Sequence, residues 1–135
     1  MEILITGGAG FIGSHILEQL NERPDMDVVV FDNLSSESRD HVPAGMELVE
    51  GDVCDEEAVD AVFADHHFDA VVHLAAQTMV PISVENPVLD CQINLEGVLH
   101  VLEACRTHGV PHILFSSSAA VYGDNLNIPL RETER

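Results

Sequence analysis

A glycine-rich turn between a short apolar segment and a helical pattern is the feature that most constrains this fold. The segment Glu2–Ile5 is continuously apolar after its first residue, as in a buried parallel strand. The turn Thr6-Gly7-Gly8-Ala9-Gly10-Phe11-Ile12-Gly13-Ser14 follows it. Residues after the turn have helical spacing and are predicted to form the core face of a helix: Ile12, Ile16, Leu17 and Leu20. This order brings backbone amides to a helix start, where residues without a Cβ let a phosphate approach closely.

The glycine spacing and a downstream acid predict a dinucleotide site. Gly7, Gly10 and Gly13 fit G-x-x-G-x-x-G, and Gly8 with the last two fits G-x-G-x-x-G. Asp32 follows Gly13 by 19 residues, at the end of a second apolar run. A carboxylate there can accept hydrogen bonds from both adenosine ribose hydroxyls and would repel a 2′-phosphate, which favours NAD over NADP. The alternative is that Asp32 only ends a strand and begins a turn with Asn33.

Strand and helix patterns alternate along the whole chain. Strands are predicted at 2–5, 28–31, 46–50, 69–74 and 112–115, with loops at 33–45 and through the Pro- and Ser-containing segment before Asn86-Pro87. Asp55 and Asn86 are predicted to cap helices, and Gly109 to end one. Right-handed crossovers then predict an α/β, Rossmann-type doubly wound parallel sheet of order 3-2-1-4-5, with helices on both faces.

Composition restricts the partners. The 135 residues include 24 acids and five arginines but no lysine, giving a net charge of −19. Such a charge argues against nucleic acid or an anionic membrane as a partner. It favours a halophilic protein, because concentrated salt screens acidic self-repulsion; the alternative is an ordinary acidic protein.

Targeting and metal signals are absent from the sequence. No apolar stretch reaches the roughly 18 residues of a membrane span, and the N-terminus has no basic region, so we expect a cytoplasmic protein. The cysteines have no C-x-x-C spacing and no metal site is predicted. Cys91 and Cys105 share the apolar side of one predicted helix, where we expect buried thiols.

The predicted strands all end in small or polar residues, which indicates one shared cleft at their carboxyl edge. These ends are Thr6-Gly7, Asp32-Asn33, Asp52, Leu74-Ala75-Ala76-Gln77 and Ser116-Ser117-Ser118. Together with Asn94-Leu95-Glu96-Gly97 and Ala119-Ala120-Val121-Tyr122-Gly123, these motifs resemble the extended short-chain dehydrogenase/reductase family. Within it, the chain is similar to the NAD-dependent sugar epimerases and dehydratases.

The resemblance implies roles for individual residues. Phe11 and Ile12 would lie over the pyrophosphate, Asp52 and Val53 would contact adenine, and Ser116 would lie near the nicotinamide. Asn94 would hold its helix against the fourth strand or touch the cofactor. The remaining implied cofactor-binding residues are Gly7, Gly10, Gly13, Asp32, Asn33, Leu74, Ala75 and Ala76. Ser118 matches the catalytic serine or threonine that hydrogen-bonds the reacting sugar hydroxyl; the alternative is a serine that only ends a strand.

The subgroup depends on residues near Ser118. Dehydratases usually carry an acid soon after that serine, whereas this chain has Ala119-Ala120, as in UDP-hexose 4-epimerases. Well-known bacterial epimerases carry a lysine after the fourth strand, where this chain has Gln77-Thr78. The resemblance therefore implies a nucleotide-sugar epimerase acting through hydride transfer and a 4-keto intermediate, homodimeric when complete, and leaves the sugar and a related dehydratase or reductase open.

The family's base is missing from the sequence. The family uses Tyr-x-x-x-Lys, but Leu126 stands four residues after Tyr122, the only tyrosine, and there is no lysine. We therefore expect residues 1–135 to be an NAD-binding domain that is truncated before the sixth strand and the C-terminal substrate region, inactive alone and with one uncovered face of the fifth strand. The alternatives are a stand-alone NAD-binding regulatory module and an NADP-dependent reductase, which Asp32 disfavours.

Overall fold

The computed structural model describes residues 1–36 and 38–133 as one five-stranded parallel sheet flanked by helices. The strands are β1 (Glu2–Thr6), β2 (Asp27–Asp32), β3 (Glu47–Glu50), β4 (Ala70–His73) and β5 (His112–Phe115). Their order in the sheet is β3-β2-β1-β4-β5, and each neighbouring pair is parallel. The predicted doubly wound topology of order 3-2-1-4-5 is therefore confirmed.

Five α-helices lie between the strands in the part of the chain that the structure describes. They are α1 (Phe11–Leu20), α2 (Glu56–Ala64), α3 (Val80–Glu85), α4 (Pro87–Cys91) and α5 (Gly97–His108). A π-helical segment, Gln92–Glu96, joins α4 to α5, and short 3₁₀ turns span Arg39–His41 and Ala119–Tyr122. Within residues 1–36 and 38–133, no helix combines the length and apolarity that a bilayer crossing requires.

The sheet separates two apolar cores, because alternate side chains of a strand point to opposite faces. On one face, Leu17 of α1 packs with Ile3, Ile5, Val28 and Val30. On the other, α2 and α5 cover the sheet with buried side chains that include Val59, Phe63, Val101 and Cys105. Helices on both faces are thus confirmed.

Local signals place the helix ends as predicted. The Asp55 carboxylate accepts a hydrogen bond from the Ala58 N–H at 3.1 Å, and the Asn86 side chain accepts one from the Leu89 N–H at 3.2 Å. Gly109 follows α5 with a φ of 73°, a left-handed conformation that glycine adopts readily. Each residue satisfies backbone groups that the helix itself leaves unpaired.

Three sequence predictions about these helices were wrong. The segment before Asn86, predicted as a loop, contains α3; Pro81 is its second residue, where proline forfeits no intrahelical hydrogen bond. Ile12, predicted in the core face, is 57% exposed because the first turn of α1 begins at the sheet edge. Cys91 is exposed while Cys105 is buried, because the wider π turns break the helical phase between them.

Strand β5 forms an edge of the sheet and is poorly covered. All four of its residues are exposed, Leu114 and Phe115 by 60% and 53%. One uncovered face was predicted, and because alternate residues of a strand point to opposite faces, the exposure of all four shows that both faces are open.

Candidate functional site

The carboxyl ends of β1, β2 and β4 meet at one edge of the sheet. Thr6 pairs in register with Phe31 on one side and with His73 on the other. Immediately beyond, the Gly7 N–H donates to the Phe31 carbonyl at 2.9 Å, and the Leu74 N–H donates to the Thr6 carbonyl at 3.0 Å. The turns that follow the three strands therefore begin side by side, as predicted from their polar endings.

The glycine turn packs too tightly for side chains. Gly7 has a φ of +69°, and a Cβ on it would lie 2.5 Å from the backbone nitrogen of Ala75. A Cβ on Gly13 would lie 2.5 Å from the Gly8 carbonyl oxygen. These glycines bring the backbone of the turn against the start of α1 and against the loop after β4.

The N-terminus of α1 is open to an anion. Gly10 is its N-cap residue and supplies no side chain to cap the first amides, and no acidic residue lies in the first turn. Phe11 beside it is 78% exposed. In a chain with a net charge of −19, an uncapped helix N-terminus without carboxylates in its first turn suits a diphosphate.

The Asp32 carboxylate is held beside this turn by two backbone amides. Its Oδ2 accepts the Ala9 N–H at 2.9 Å, and its Oδ1 accepts the Leu34 N–H at 2.9 Å. The second bond is the turn-forming role weighed as the alternative for this residue. Each carboxylate oxygen has lone pairs beyond these bonds, so the group can also accept from ribose hydroxyls. The sequence motifs did not indicate His41, whose Nδ1 lies 3.0 Å from the Ala9 carbonyl oxygen. Both the N–H and the carbonyl of Ala9 are therefore held by side chains.

Asn33, Asp52 and Cys54 form a second polar group at this edge. The Asn33 side-chain amide donates to Asp52 Oδ2 at 2.9 Å, and the Cys54 N–H donates to Asp52 Oδ1 at 2.9 Å. Partial burial raises the pKa of Asp52, but these hydrogen bonds outweigh it and the pKa is lowered overall. Burial, followed by the neighbouring Asp52 carboxylate, raises the pKa of the Cys54 thiol to about 11, so this thiol is no nucleophile at neutral pH.

Val53, which the resemblance places at the adenine, directs its side chain into the core. It is 6% exposed, and a Cβ on Gly97 would lie 2.8 Å from its Cγ2. Its carbonyl oxygen contacts His100 Nδ1 at 2.9 Å. Any contact of Val53 with a ligand at this edge would therefore involve its main chain.

Thr6 and His73 form a buried pair beneath the site. Thr6 Oγ1 lies 2.8 Å from His73 Nδ1 and also accepts the Ala75 N–H at 3.4 Å. One hydrogen joins the hydroxyl and Nδ1, while the other ring nitrogen, Nε2, is a buried atom without a partner in the part of the chain that the structure describes. Burial lowers the pKa of His73, so the ring is kept neutral.

The loop after β4 is tied to the π-helical segment by Asn94. The Gln77 N–H donates to Asn94 Oδ1 at 2.9 Å, and Asn94 Nδ2 donates to the Gln77 carbonyl at 3.0 Å. Of the two roles expected for Asn94, the one that holds its helix is therefore observed. Leu74 and Ala75 in the same loop are partly buried, and Ala76 is exposed. The motifs did not indicate Ser83 and Asp90, which join this network, although the four-residue spacing of Asp90 and Asn94 places two polar side chains on one helical face.

The serines after β5 lie at the exposed end of that strand. The Ser116 N–H donates to the His73 carbonyl at 3.2 Å, which extends the sheet by one bond beside β4. Ser118 Oγ accepts the Ala120 N–H at 3.1 Å and caps the 3₁₀ turn that contains Tyr122. The structural role of Ser118 is thus observed, and its catalytic role stays a prediction.

These features fit a dinucleotide. The glycine turn leaves no room for a Cβ on Gly7 or Gly13, the start of α1 has no side-chain cap, and the Asp32 carboxylate is fixed beside the turn. Among residues 1–36 and 38–133, no group of three or more His, Cys, Asp or Glu side chains is placed to hold a metal ion.

Comparison with known proteins agrees with this site. Residues 3–135 match the family model described as the NAD dependent epimerase/dehydratase family. The UDP-glucose 4-epimerase of Azospirillum brasilense is 43% identical over 130 residues, which are 96% of this chain and 37% of that protein. The Thermus thermophilus UDP-glucose 4-epimerase, crystallised in complex with NAD, is 46% identical with a TM-score of 0.88, covering 100% of this chain and 42% of that one. The Thermotoga maritima enzyme, crystallised with UDP-glucose, is 41% identical with a TM-score of 0.88, covering 95% and 41%.

The chain thus spans 37 to 42% of the length of these three relatives. The expected family resemblance is confirmed by sequence and by fold, and the expectation of NAD as cofactor is confirmed for the family. The match covers nearly every residue, from the first strand to the end of the sequence. This chain belongs to the NAD dependent epimerase/dehydratase family.

Proposed function

We propose that residues 1–135 are the NAD-binding domain of a nucleotide-sugar epimerase of the UDP-hexose 4-epimerase type. The observation that carries the proposal is the cradle of Gly7, Gly10 and Gly13 at an uncapped helix start, beside the Asp32 carboxylate. NAD would supply a reversible hydride acceptor for oxidation of the sugar to a 4-keto intermediate. The relatives' names support a UDP-sugar as substrate.

The chain's own residues bind and orient in this proposal. Amides at the start of α1 hold the diphosphate, with Phe11 and Ile12 over it, and Asp32 holds the adenosine ribose. Asn33, Asp52 and Val53 border the adenine, while Leu74, Ala75, Ala76 and Ser116 line the path to the nicotinamide. Ser118 hydrogen-bonds the reacting hydroxyl. Its own hydroxyl oxygen accepts a bond from the neighbouring Ala120 amide, which leaves the hydroxyl hydrogen to donate.

We propose that these residues alone do not turn over substrate. Proton transfer in the family requires the Tyr-x-x-x-Lys pair, which this sequence does not contain. A complete protein would be the form that binds a nucleotide sugar and forms a homodimer, without nucleic acid or membrane partners. The same proposal places the protein in the cytoplasm of a halophilic organism. The net charge of −19 supports the halophilic host.

The test is titration calorimetry with NAD and NADP on the chain and two variants. Asp32→Asn removes the charge beside the ribose, and Asp27→Asn removes the same charge at the opposite, exposed end of β2. We expect NAD to bind more tightly than NADP, Asp32→Asn to weaken NAD binding, and Asp27→Asn to leave it unchanged. Equal or tighter binding of NADP, or no binding of NAD, would refute the assignment.

A regulatory NAD-binding module is the second candidate, favoured by the capping role of Ser118 and the absence of the base from the sequence. The two candidates differ in the complete gene product. Interconversion of UDP-glucose and UDP-galactose by that product supports the epimerase, and NAD binding without any turnover of nucleotide sugars supports the module.

A further inference from the structure

The loop after β4 is held by one carboxylate that belongs to none of the site motifs. Asp90 Oδ1 accepts the Ser83 hydroxyl at 2.6 Å and the Asn94 side-chain amide at 3.1 Å. It lies 3.5 Å from Gln77 Nε2, whose two hydrogens are donated to Ser83 Oγ and to the Met79 carbonyl. All four side chains are partly buried. Their donors are neutral, so Asp90 supplies the only charge in this network, and bonds to a charged acceptor are about twice as strong as neutral ones.

Asp90 and the Gln77 backbone together fix how the Asn94 amide is oriented. A carboxylate only accepts hydrogen bonds, so the Asn94 NH₂ group faces Asp90 and its Oδ1 is left for the Gln77 N–H. In the flipped orientation, the Asn94 oxygen would face both the Asp90 carboxylate and the Gln77 carbonyl, two acceptors. The carboxylate thus favours the one orientation that ties the π-helical segment to the loop.

The loop is closed on its other side by Gln77 and Ser83. Gln77 Oε1 accepts the Met79 N–H at 2.6 Å, and its Nε2 donates to Ser83 Oγ at 2.9 Å. Ser83 in turn donates to Asp90. Gln77, at one end of the segment 77–83, is therefore linked to the Asp90 carboxylate through Ser83 at the other end.

We propose that Asp90 is a positioning residue for cofactor binding: it orients Asn94 and Ser83 and thereby holds the loop that follows Leu74, Ala75 and Ala76 in its binding conformation. The proposal rests on the proposed function, in which this loop lines the NAD site. Asp90 itself does not touch the cofactor.

The test compares Asp90→Ala and Asp90→Asn with Glu85→Ala. Glu85 is an exposed acid at the end of α3 that takes no part in this network, so its removal changes the charge but not the hydrogen bonds around Asp90. Amide hydrogen exchange of Gln77, measured by NMR without NAD, reports how often the hydrogen bond from its N–H to Asn94 Oδ1 opens. Titration calorimetry reports NAD affinity.

We expect Asp90→Ala to speed exchange at Gln77 and to weaken NAD binding by about tenfold, the effect of losing a hydrogen bond to a charged group. Asp90→Asn keeps an acceptor oxygen and should recover part of both effects, while Glu85→Ala should show neither. If Asp90→Ala fails to fold, as judged by circular dichroism, Asp90→Asn carries the test against the unsubstituted chain.

If the unsubstituted chain binds NAD, two results for Asp90→Ala would overturn this proposal alone. One is an unchanged exchange rate at Gln77, and the other is faster exchange at Gln77 with unchanged NAD affinity. Absence of NAD binding by the unsubstituted chain would overturn the proposed function and this proposal together. The two failures are therefore distinguished by the unsubstituted chain.

Discussion

Replacing Gly7 with alanine tests whether close contact between two loops shapes the site. The new Cβ would lie 2.5 Å from the Ala75 nitrogen and 2.8 Å from the Leu74 carbonyl carbon. Both are backbone atoms, so no side chain can rotate away. The gap to Ala75 has to widen from 2.5 Å to the 3.4 Å of ordinary contact, by about 0.9 Å, which moves the loop after β4 away from the glycine turn.

Gly109 provides a matched control. Its φ of +73° nearly equals the +69° of Gly7, but a Cβ on it would meet no atom within 4 Å. Alanine at a positive φ costs about 1–2 kcal/mol, and the reduced freedom of the unfolded chain offsets about 0.4–1 kcal/mol of it. Gly109→Ala should therefore lower the free energy of unfolding by about 1 kcal/mol.

Gly7→Ala loses the same unfolding free energy from alanine at a positive φ, and about 1–3 kcal/mol more from the clash of its Cβ with the backbone of the neighbouring loop. Its total loss should be about 2–4 kcal/mol, measured by urea unfolding followed by circular dichroism. Because the displaced loop contains Ala75 and Ala76, NAD affinity measured by calorimetry should fall with it. Equal losses of unfolding free energy for the two variants would refute the reasoning, since only backbone strain is common to both.

Three other predictions concern the cradle, the buried histidine and the surface charge. Gly13→Ala should weaken NAD binding by at least about tenfold in calorimetry, because its Cβ would displace the Gly8 carbonyl; Gly45→Ala, in open space, should not. His73 has a pKa below its ordinary 6.5, so the folded state binds fewer protons than the unfolded state, and stability present above that pH should decline as the pH falls through it. In urea titrations at several pH values, His73→Gln should lose less unfolding free energy than the unsubstituted chain as the pH falls. Equal losses in both proteins would contradict the attribution of this pH dependence to His73. The thermal unfolding midpoint should rise as KCl approaches molar concentration, where the screening length is about 3 Å; a midpoint that falls steadily would rule out salt adaptation.

Motifs with a short-range cause were predicted well. The Asp55 and Asn86 caps, the end of α5 at Gly109 and the glycine turn depend on residues within a few positions of one another. The sheet order also followed, because alternating strand and helix patterns with right-handed crossovers leave few topologies.

Features that depend on irregular helix geometry or on distant contacts were not predicted. The exposure of Cys91 depends on the π-helical segment, and that of Ile12 on where the sheet edge lies beneath α1. Burial of the Val53 side chain depends on Gly97, 44 positions later in the sequence, while the contact of Val53 with adenine stays a prediction. Periodicity records how a helix could face a core, whereas burial depends on what else reaches that face.

By itself, the sequence determined that this chain forms a parallel doubly wound sheet with a glycine cradle and an acid at the end of the second strand, because these depend on backbone conformation and local order. Only the tertiary structure decided which atoms hold that site: the Ala9 amide on Asp32, the Gly7 contact with Ala75, and the carboxylate of Asp90 on Asn94. Contacts between separate loops depend on how the strands align in the sheet. Hydrogen-bond geometry is decided within fractions of an ångström, which residue spacing does not specify.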